Sequence, residues 1–510
     1  MGKSLITGPV EKEVIEYADE KGLLIESNAI ALLSSLKDYR ELLDEFLEKG
    51  ELIIDDKKIK ASLLRKESKI KGVEETVIVR KSGFNAEARD LDPKLRIMEE
   101  YDITGKSYSE GKIKDFLSMF RDKFQFLSSV LRQRQGFDPR AISRVVRSTK
   151  GRDVEFIGMV NRKWMSKKGN LAFEVEDLDS KIIVLASNNE KQLFEFAQSV
   201  IMDDVIGVKG SKLSEDLVIA KEIFLPDLPN RPIKSVERDL SIMAISDLHI
   251  GSKLFIEKEF NDFISWLNGN TSSEKELERI GKIKYLAVVG DNIDGVGVYP
   301  DQFDELAIKD IYKQYEKFTQ LMLKVPEYIE IIICPGQHDA VRRADPQPAI
   351  PKEFVNELSG RGNVHFIGSP GWVEIEGLKC LFYHGASLHD LYSSVNFLSA
   401  REPHKAIIEM LKRRDLMPSY GMRQPYVPEK KDYMLIREEP DIYFGGDMHH
   451  TGYAQYKGCS VINCGTWQTQ TDFQLELGHV PTPGIATELE LKTRNIRENK
   501  FYVEGRKNVI

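Results

Sequence analysis

Five short apolar runs between about residues 240 and 450 each end in a polar stretch that carries possible metal ligands. The polar stretches are Ser246-Asp-Leu-His249, Gly290-Asp291, Pro335-Gly-Gln-His-Asp339, His384-Gly385 and Gly446-Asp-Met-His-His450. Helical stretches such as 259–267 and 308–323 alternate with the apolar runs, which predicts an α/β fold. Because ligands at the ends of successive strands meet along one edge of such a sheet, we expect one site rather than five.

The side chains in these stretches suit hard divalent cations. Aspartate, histidine and amide side chains bind Mn²⁺, Fe²⁺ or Zn²⁺, and the four cysteines form no C-x-x-C pair that would indicate a thiolate site or a disulfide framework. Asp247 and His249 are two residues apart, so in an extended segment both point to one side and hold the same ion. Asp291 is the candidate bridge between two ions, because the two oxygens of one carboxylate can serve two cations.

The other candidates divide between the two ions. Gln337, His384 and Asp447 would complete the coordination of the second ion. His449 would bind the first ion, although the adjacent His450 leaves open which member of that pair faces the metal. Two cations about 3.5–4 Å apart bind a phosphate, lower the pKa of a shared water and stabilise the leaving oxygen. The pattern therefore predicts phosphoester hydrolysis.

His338 is not needed as a ligand, and we expect it to be the general acid for the leaving alkoxide. The neighbouring Asp339 is the expected partner that orients its ring. The histidines outside the five stretches are assigned structural roles, and they are His365, His389, His404 and His479.

Sequence patterns divide the whole chain into four predicted segments. Helical periodicity indicates a helical N-terminal module at 1–55, and charged residues with little apolar periodicity indicate a linker at 56–110. Residues 111–232 are predicted to form a long amphipathic helix followed by five short strands, as in a barrel of the OB type. A proline-rich stretch at 226–232 marks the boundary to the metal-binding domain at 233–510.

Two basic segments have two interpretations each. Residues 162–169 would form the first hairpin loop of the barrel and hold single-stranded nucleic acid through Trp164 and nearby cations, or form a solvated turn with Trp164 turned inward. Residues 404–433, which include Arg413 and Arg414, would form either a positive lid over the site or a surface excursion.

Composition limits the function classes. The 510 residues carry a net charge of −8, so any contact with nucleic acid has to be local. No run of about 18 apolar residues could span a bilayer, and residues 1–4 are not followed by the apolar region of a secretory signal. We expect a cytoplasmic protein with no membrane segment.

The order D-x-H, G-D, G-Q-H-D, H-G and G-D-x-H resembles the signature of the calcineurin-like metallophosphoesterases over about residues 240–470. Residues 336–349 and 465–474 are similar to the small subunits of archaeal family D DNA polymerases, and with the N-terminal segments the resemblance covers nearly the whole chain. It implies an α/β phosphoesterase core, a β-sheet sandwich flanked by helices, preceded by an OB-fold β-barrel and a small helical N-terminal domain.

The resemblance also implies a function. It indicates a 3′-to-5′ exonuclease that proofreads DNA 3′ ends for a separate large polymerase subunit. The OB-like domain and the phosphoesterase face would together bind that large subunit. The sliding clamp would be reached through the holoenzyme. Arg342 and Arg343 are the candidates for contact with DNA phosphates, with an ion pair to a nearby carboxylate as the alternative.

Two positions depart from the phosphoesterase pattern. Gln337 stands where the pattern has Asn, and Asp447 stands where it has the first His of G-H-x-H. The added carboxylate favours Mn²⁺ or Mg²⁺ over Zn²⁺ at the second ion. We expect two divalent ions, Mn²⁺ first, with Mg²⁺, Fe²⁺ and Zn²⁺ as the alternatives. Related accessory subunits have lost their ligands, so a non-catalytic scaffold is the main alternative, and a phosphatase acting on proteins or small phosphoesters is the third.

Overall fold

The computed structural model describes residues 9–36, 39–48, 53–54, 59, 84–476 and 478–503. The chain divides into two compact units, Met1–Ile78 and Val79–Ile510. Among the helices in the described residues, none is both long enough and apolar enough to cross a membrane.

The first unit is helical, as its periodicity predicts. It contains α1 (Pro9–Lys21), α2 (Ser27–Ser34), α3 (Tyr39–Glu48) and the short parallel strands β1 (Leu24–Ile25) and β2 (Ile53–Ile54). Val14, Leu33 and Leu43 are fully buried in its core.

The second unit begins within the predicted linker. Residues Leu95–Ile97 form β3, which pairs with residues 373–375 at the edge of a sheet. The part of the linker prediction from residue 84 onward therefore falls on folded chain, whereas residues 60–83 lie outside the described residues.

A closed five-stranded barrel follows the predicted amphipathic helix, α4 (Ile113–Arg132). Its strands are β4 (Asp153–Met165), β5 (Leu171–Glu176), β6 (Lys181–Ala186), β7 (Val205–Ser214) and β8 (Leu217–Phe224), with α5 (Ile142–Val146) before them and α6 (Lys191–Ser199) between β6 and β7. The strand order is β4-β5-β6-β8-β7. β4 runs to Met165, so Trp164 lies on a strand rather than in the predicted loop, and its 39% exposure contradicts the inward-turned interpretation.

Two six-stranded sheets form the rest of the second unit. The first has the order β12-β11-β10-β9-β18-β19, and the second has the order β16-β17-β15-β14-β13-β3. Their strands are β9 (Ser241–Ile245), β10 (Ile283–Val289), β11 (Glu330–Cys334), β12 (Val364–Phe366), β13 (Gly371–Ile375), β14 (Leu378–Phe382), β15 (Ile442–Gly445), β16 (Gly452–Tyr456), β17 (Cys459–Asn463), β18 (Ile485–Glu490) and β19 (Ile496–Lys500). Every residue of β9, β10 and β11 is buried, as is typical of central parallel strands.

The two sheets share one hydrophobic core. Ala244 and Ala287 of the first sheet cluster with Phe382 and Phe444 of the second. The helices of this region are α7 (Glu257–Leu267), α8 (Glu274–Gly281), α9 (Ile311–Met322), α10 (Asn356–Ser359), α11 (Leu388–Ser394), α12 (Pro403–Arg413) and α13 (Asp472–Glu476). The alternate residues of β14 and β15 point to the opposite face and pack on α11 and α12.

Strand register sets the position of the polar stretches. β9, β10 and β11 are parallel, with Val288 opposite Ile245 and Val289 opposite Cys334. β14 and β15 are also parallel, with Phe382 opposite Phe444. The five polar stretches therefore leave their strands at carboxyl ends, as the sequence predicts.

Candidate metal centre

All seven predicted ligands lie in one connected cluster. Nε2 of His249 and Nε2 of His449 are 2.9 Å apart, and Nε2 of His449 is 3.3 Å from Oδ1 of Asp247. These three residues form one group that could hold an ion. His450 instead places Nδ1 against the carbonyl of Thr451, so the structure brings His449 to the site.

A second group that could hold an ion consists of Asp247, Asp291 and His384, with Oδ1 of Asp247 3.9 Å from Nε2 of His384. Nε2 of His384 is 3.2 Å from Oδ2 of Asp291 and 3.8 Å from Oδ1 of Asp447. The amide Nε2 of Gln337 donates to Oδ1 of Asp447 at 3.0 Å. Oδ2 of Asp291 is also 3.9 Å from Nε2 of His249, so this carboxylate lies between the two groups.

The donor atoms fit divalent cations by distance and by their lack of other partners. Two ligand atoms that are each about 2.0–2.2 Å from one ion are about 3–3.6 Å apart. The distances of 2.9 and 3.3 Å in the first group and 3.2 Å between His384 and Asp291 are close to this range, whereas 3.8 Å between His384 and Asp447 is longer. Oδ1 of Asp247, Oε1 of Gln337 and Nε2 of His384 are buried, yet none has a hydrogen-bond partner among the described residues. A buried polar atom without a partner is costly, and a bound cation would satisfy all three.

The backbone at five of the ligands is left-handed. The φ angles are 54° at Asp247, 48° at His249, 49° at Asp291, 65° at Asp447 and 52° at His449. The expectation of an extended Asp247–His249 segment is therefore wrong. Both side chains turn toward His449 because their backbone is tightly bent, and such strained conformations of non-glycine residues concentrate at functional sites.

Glycines in three of the polar stretches allow the ligands to approach the backbone. An added Cβ would lie 2.3 Å from Nδ1 of His384 at Gly290, 2.2 Å from Oδ1 of Asp291 at Gly336, and 2.8 Å from Oδ2 of Asp247 at Gly446. The site therefore has no room for a side chain at these positions.

Hydrogen bonds fix the orientation of the histidine rings. Nδ1 of His384 donates to the carbonyl of Val289 at 2.7 Å, which leaves Nε2 directed at the carboxylates. Nδ1 of His249 lies 3.0 Å from Oδ1 of Asp294. The amide Nε2 of Gln474 donates to Nδ1 of His449 at 2.8 Å, so this ring, unlike that of His384, carries its proton on Nε2 when it is neutral. Such outer contacts set the tautomer of a metal-bound histidine.

The ionisation states of Asp291 and His249 suit a cation site. Burial opposes ionisation of Asp291, but the rings of His384 and His338 hold the pKa of its carboxyl well below the ordinary value. Burial lowers the pKa of His249. Ionised carboxylate and neutral imidazole are the forms that bind metal. Burial also opposes protonation of His384, but Asp291 and Asp247 raise the pKa of this ring well above the ordinary value, so a cation has to displace its proton.

His338 lies beside Asp291, the predicted bridge, but its hydrogen-bond partner differs from the prediction. Nδ1 of His338 lies 2.7 Å from the backbone carbonyl of Asp294, and Nε2 lies 3.9 Å from Oδ2 of Asp291. Asp339 does not orient the ring, because its carboxylate accepts from the backbone N–H of Gly336, from Asn292 and from the hydroxyl of Tyr315.

The predicted arginines have mixed environments. Arg342 forms an ion pair with Glu429 at 3.1 Å and donates to the carbonyl of Pro346, whereas Arg343 is exposed. Of the two interpretations of residues 404–433, neither a positive lid nor a surface excursion fits Arg413 and Arg414. Both side chains are 2% exposed, because Arg413 pairs with Asp204 and Glu409 and Arg414 pairs with Glu439.

Three residues at the site are absent from the predicted set. Asp294 contacts His249 and Gln474 contacts His449, as described above. Nε2 of His389, assigned a structural role from the sequence, lies 3.1 Å from Oδ2 of Asp447. The signals in the sequence are weak. Asp294 follows Asp291 by three residues, and His389, the second residue of α11, follows His384 by five. Of the other three histidines, His365 pairs with Glu330 and His479 contacts a backbone carbonyl.

Hard oxygen and imidazole donors at the carboxyl ends of parallel strands define this protein as one with a candidate divalent-metal centre in an α/β core. The model of the family of DNA polymerase alpha/epsilon B subunits matches residues 242–454, the part of the chain that supplies these donors.

Curated relatives extend the match beyond that core. The DNA polymerase II small subunit of Archaeoglobus fulgidus is 41% identical, covering 75% of this chain and 76% of the relative. That of Methanothermobacter thermautotrophicus is 35% identical, covering 92% and 96%. The chain belongs to the family of archaeal DNA polymerase II small subunits, which confirms the predicted resemblance. The solved structure of an archaeal phosphodiesterase aligns with 51% of this chain and 99% of its own at 15% identity, but its TM-score of 0.26 supports no conclusion.

Proposed function

We propose that this chain is the proofreading 3′-to-5′ exonuclease subunit of a two-subunit DNA polymerase, with a calcineurin-like phosphoesterase core. The observation that carries the proposal is the convergence of buried donor atoms without hydrogen-bond partners on Asp247, Gln337 and His384. Two divalent ions would bind the phosphodiester and activate a water. We propose Mn²⁺ as the metal, with Mg²⁺, Fe²⁺ or Zn²⁺ as the alternatives.

The protein would hold these ions with two sets of side chains. Asp247, His249 and His449 form one set, and Gln337, His384 and Asp447 form the other, with Asp291 shared. The carbonyl of Val289 and the carboxylate of Asp294 keep His384 and His249 turned toward the ions.

His338 is the proposed general acid. Its Nδ1 donates to the carbonyl of Asp294, so Nε2 of the protonated ring is the atom that delivers a proton to the leaving oxygen. The ring is 18% exposed and lies beside Asp291, which gives it access to a substrate at the site.

The partner follows from the family. The relatives are named as small subunits of a polymerase, so we place a large polymerase subunit on this chain. The OB-like barrel and the phosphoesterase face are the proposed docking surfaces, and the sliding clamp would be reached through the holoenzyme.

The test of the exonuclease is His338→Ala, with His365→Ala as the control. His365 is a partly exposed histidine of similar accessibility that pairs with Glu330 outside the site. With Mn²⁺ and 5′-labelled DNA, His338→Ala should abolish shortening and keep the bound metal, whereas His365→Ala should retain activity. Full activity in His338→Ala would exclude this residue as the acid.

A non-catalytic scaffold is the second candidate function. The observation in its favour is the hydrogen bond between Gln337 and Asp447, the two residues that depart from the phosphoesterase pattern. If this bond persists instead of metal coordination, fewer than two ions bind tightly and the purified chain has no nuclease activity.

A further inference from the structure

Residues 132–152 are strongly basic in a chain that is acidic overall. They contain seven arginine or lysine residues and one aspartate, against a net charge of −8 for the whole protein. This segment joins α4 to the barrel and lies outside the predicted site. Such a local reversal of charge marks a surface for an anionic partner.

The fold presents these cations to solvent. Ile142 and Val145 of α5 are buried in the barrel core, whereas Arg144 and Arg147 are exposed. Residues three apart on a helix have Cβ atoms about 5–6 Å apart, so Arg144 and Arg147 are neighbours. Arg140 precedes the same turn and is also exposed.

Five of the cations have no ionic partner. Arg140, Arg144, Arg147, Lys150 and Arg152 are all exposed, and none forms an ion pair with any residue that the structure describes. We call these five residues the barrel basic surface.

Three carboxylates near the barrel basic surface have other partners. Asp177 accepts from the backbone N–H groups of Ile142, Asp179 and Ser180. Asp153 pairs with Lys221 at 2.7 Å, and Glu222 pairs with Arg134 at 3.0 Å. Asp138, Glu215 and Asp216 are exposed, and none of them forms an ion pair with a described residue. The five cations are therefore available to an external partner.

We infer that the barrel basic surface binds the phosphate backbone of double-stranded DNA. Arginine suits phosphate because its planar guanidinium donates two parallel hydrogen bonds. Single strands are usually held by exposed aromatic rings in addition to cations. The only aromatic residue between 132 and 152 is Phe137, which is buried against Phe224, so the surface fits a duplex backbone better than unstacked bases.

The inference rests on the proposed function for its choice of DNA, but it needs neither metal nor hydrolysis. A duplex held on the barrel would keep primer–template DNA on the subunit while a 3′ end is at the metal centre. Binding and cleavage can therefore fail separately.

The test measures duplex binding by the full chain in EDTA. Fluorescence anisotropy with a labelled duplex of random sequence gives Kd between about 50 and 200 mM salt, where each phosphate contact contributes about −0.9 to the slope of log K against log salt. The variant R140Q/R144Q/R147Q should weaken binding roughly tenfold or more at low salt and reduce the slope by about 3.

The control variant is K258Q/K275Q/K313Q, which removes three exposed cations from α7, α8 and α9. It should keep the slope of the unaltered chain, and equal thermal unfolding of both variants would show that folding is intact. Equal loss in the two triple variants would overturn the inference, as would tighter binding to a single strand or to an acidic protein than to the duplex. Loss of duplex binding in R140Q/R144Q/R147Q with unchanged metal content supports the inference whether or not the chain cuts DNA.

Discussion

Gly336→Ala is a sharp steric test of the metal centre. Gly336 has no positive φ, so alanine is allowed by the backbone at this position. Its Cβ, however, would lie 2.2 Å from Oδ1 and 2.5 Å from the backbone N of Asp291, and 2.7 Å from Cδ2 of His384, where ordinary contacts begin near 3.4 Å. Asp291 must therefore move away from the stretch after β11 by about 1 Å.

The displacement of Asp291 determines how much Gly336→Ala weakens metal binding and activity. Overpacking of this kind costs about 1–3 kcal/mol. If the cost falls on the geometry of Asp291, Mn²⁺ binding should weaken by about 5- to 150-fold. A shift of about 1 Å at a reacting centre also lowers the rate by roughly 100-fold.

The assay is calorimetric titration of Mn²⁺ together with DNA shortening. Gly362→Ala is the matched control, because the same substitution there meets nothing within 4 Å and also has no positive φ. We expect Gly362→Ala to bind Mn²⁺ like the unaltered chain. Unchanged binding and activity in Gly336→Ala would refute the assignment of Asp291 as the shared ligand.

Two further predictions concern stability. Lys123→Met removes the ion pair of Lys123 with Asp415, which is 2.8 Å long and buried, with side chains 4% and 2% exposed. The variant should lower the free energy of unfolding, measured in urea, by about 3–5 kcal/mol. Lys181→Met, at an exposed pair, should lower it by about 0–1 kcal/mol, and equal losses in the two variants would contradict this prediction. Burial raises the pKa of Asp345 to about 7 from an ordinary 3.8, so the folded state binds the extra proton between these values. The contribution of Asp345 to stability therefore falls as pH rises from 4 to 7, by about 1.4 kcal/mol per pKa unit. In EDTA, Asp345→Asn should flatten this pH dependence, and an unchanged slope would show that Asp345 does not titrate there.

Local patterns predict the strands and the ligands because both depend on neighbours in sequence. Ile242 to Ile245 is apolar because the strand is buried on both faces, and the ligands that follow it gather because parallel strands end at one edge. The position of Asp247, His249 and His384 directly after buried strands is enough to predict that they lie at one site.

Local sequence patterns do not predict contacts between segments that are far apart in the chain. Arg413 lies in a segment that the sequence predicts to be exposed, because its partner Asp204 lies on the approach to β7, about 200 residues earlier. His389 reaches Asp447 only through the packing of α11 against the second sheet. The left-handed backbone at Asp247 and His249 depends on bonds to the loop after β10, such as the N–H of Asp247 to the carbonyl of Gly290.

The most direct test of the proposed exonuclease is Mn²⁺-dependent shortening of 5′-labelled DNA with a mispaired 3′ end by the purified chain, with bound Mn²⁺ counted in the same preparation. We predict two bound ions and stepwise removal of 3′ nucleotides, and we expect Asp291→Asn to lose both. A chain that binds fewer than two ions and leaves the DNA intact, alone and with the large subunit, would contradict the proposed exonuclease and favour the scaffold.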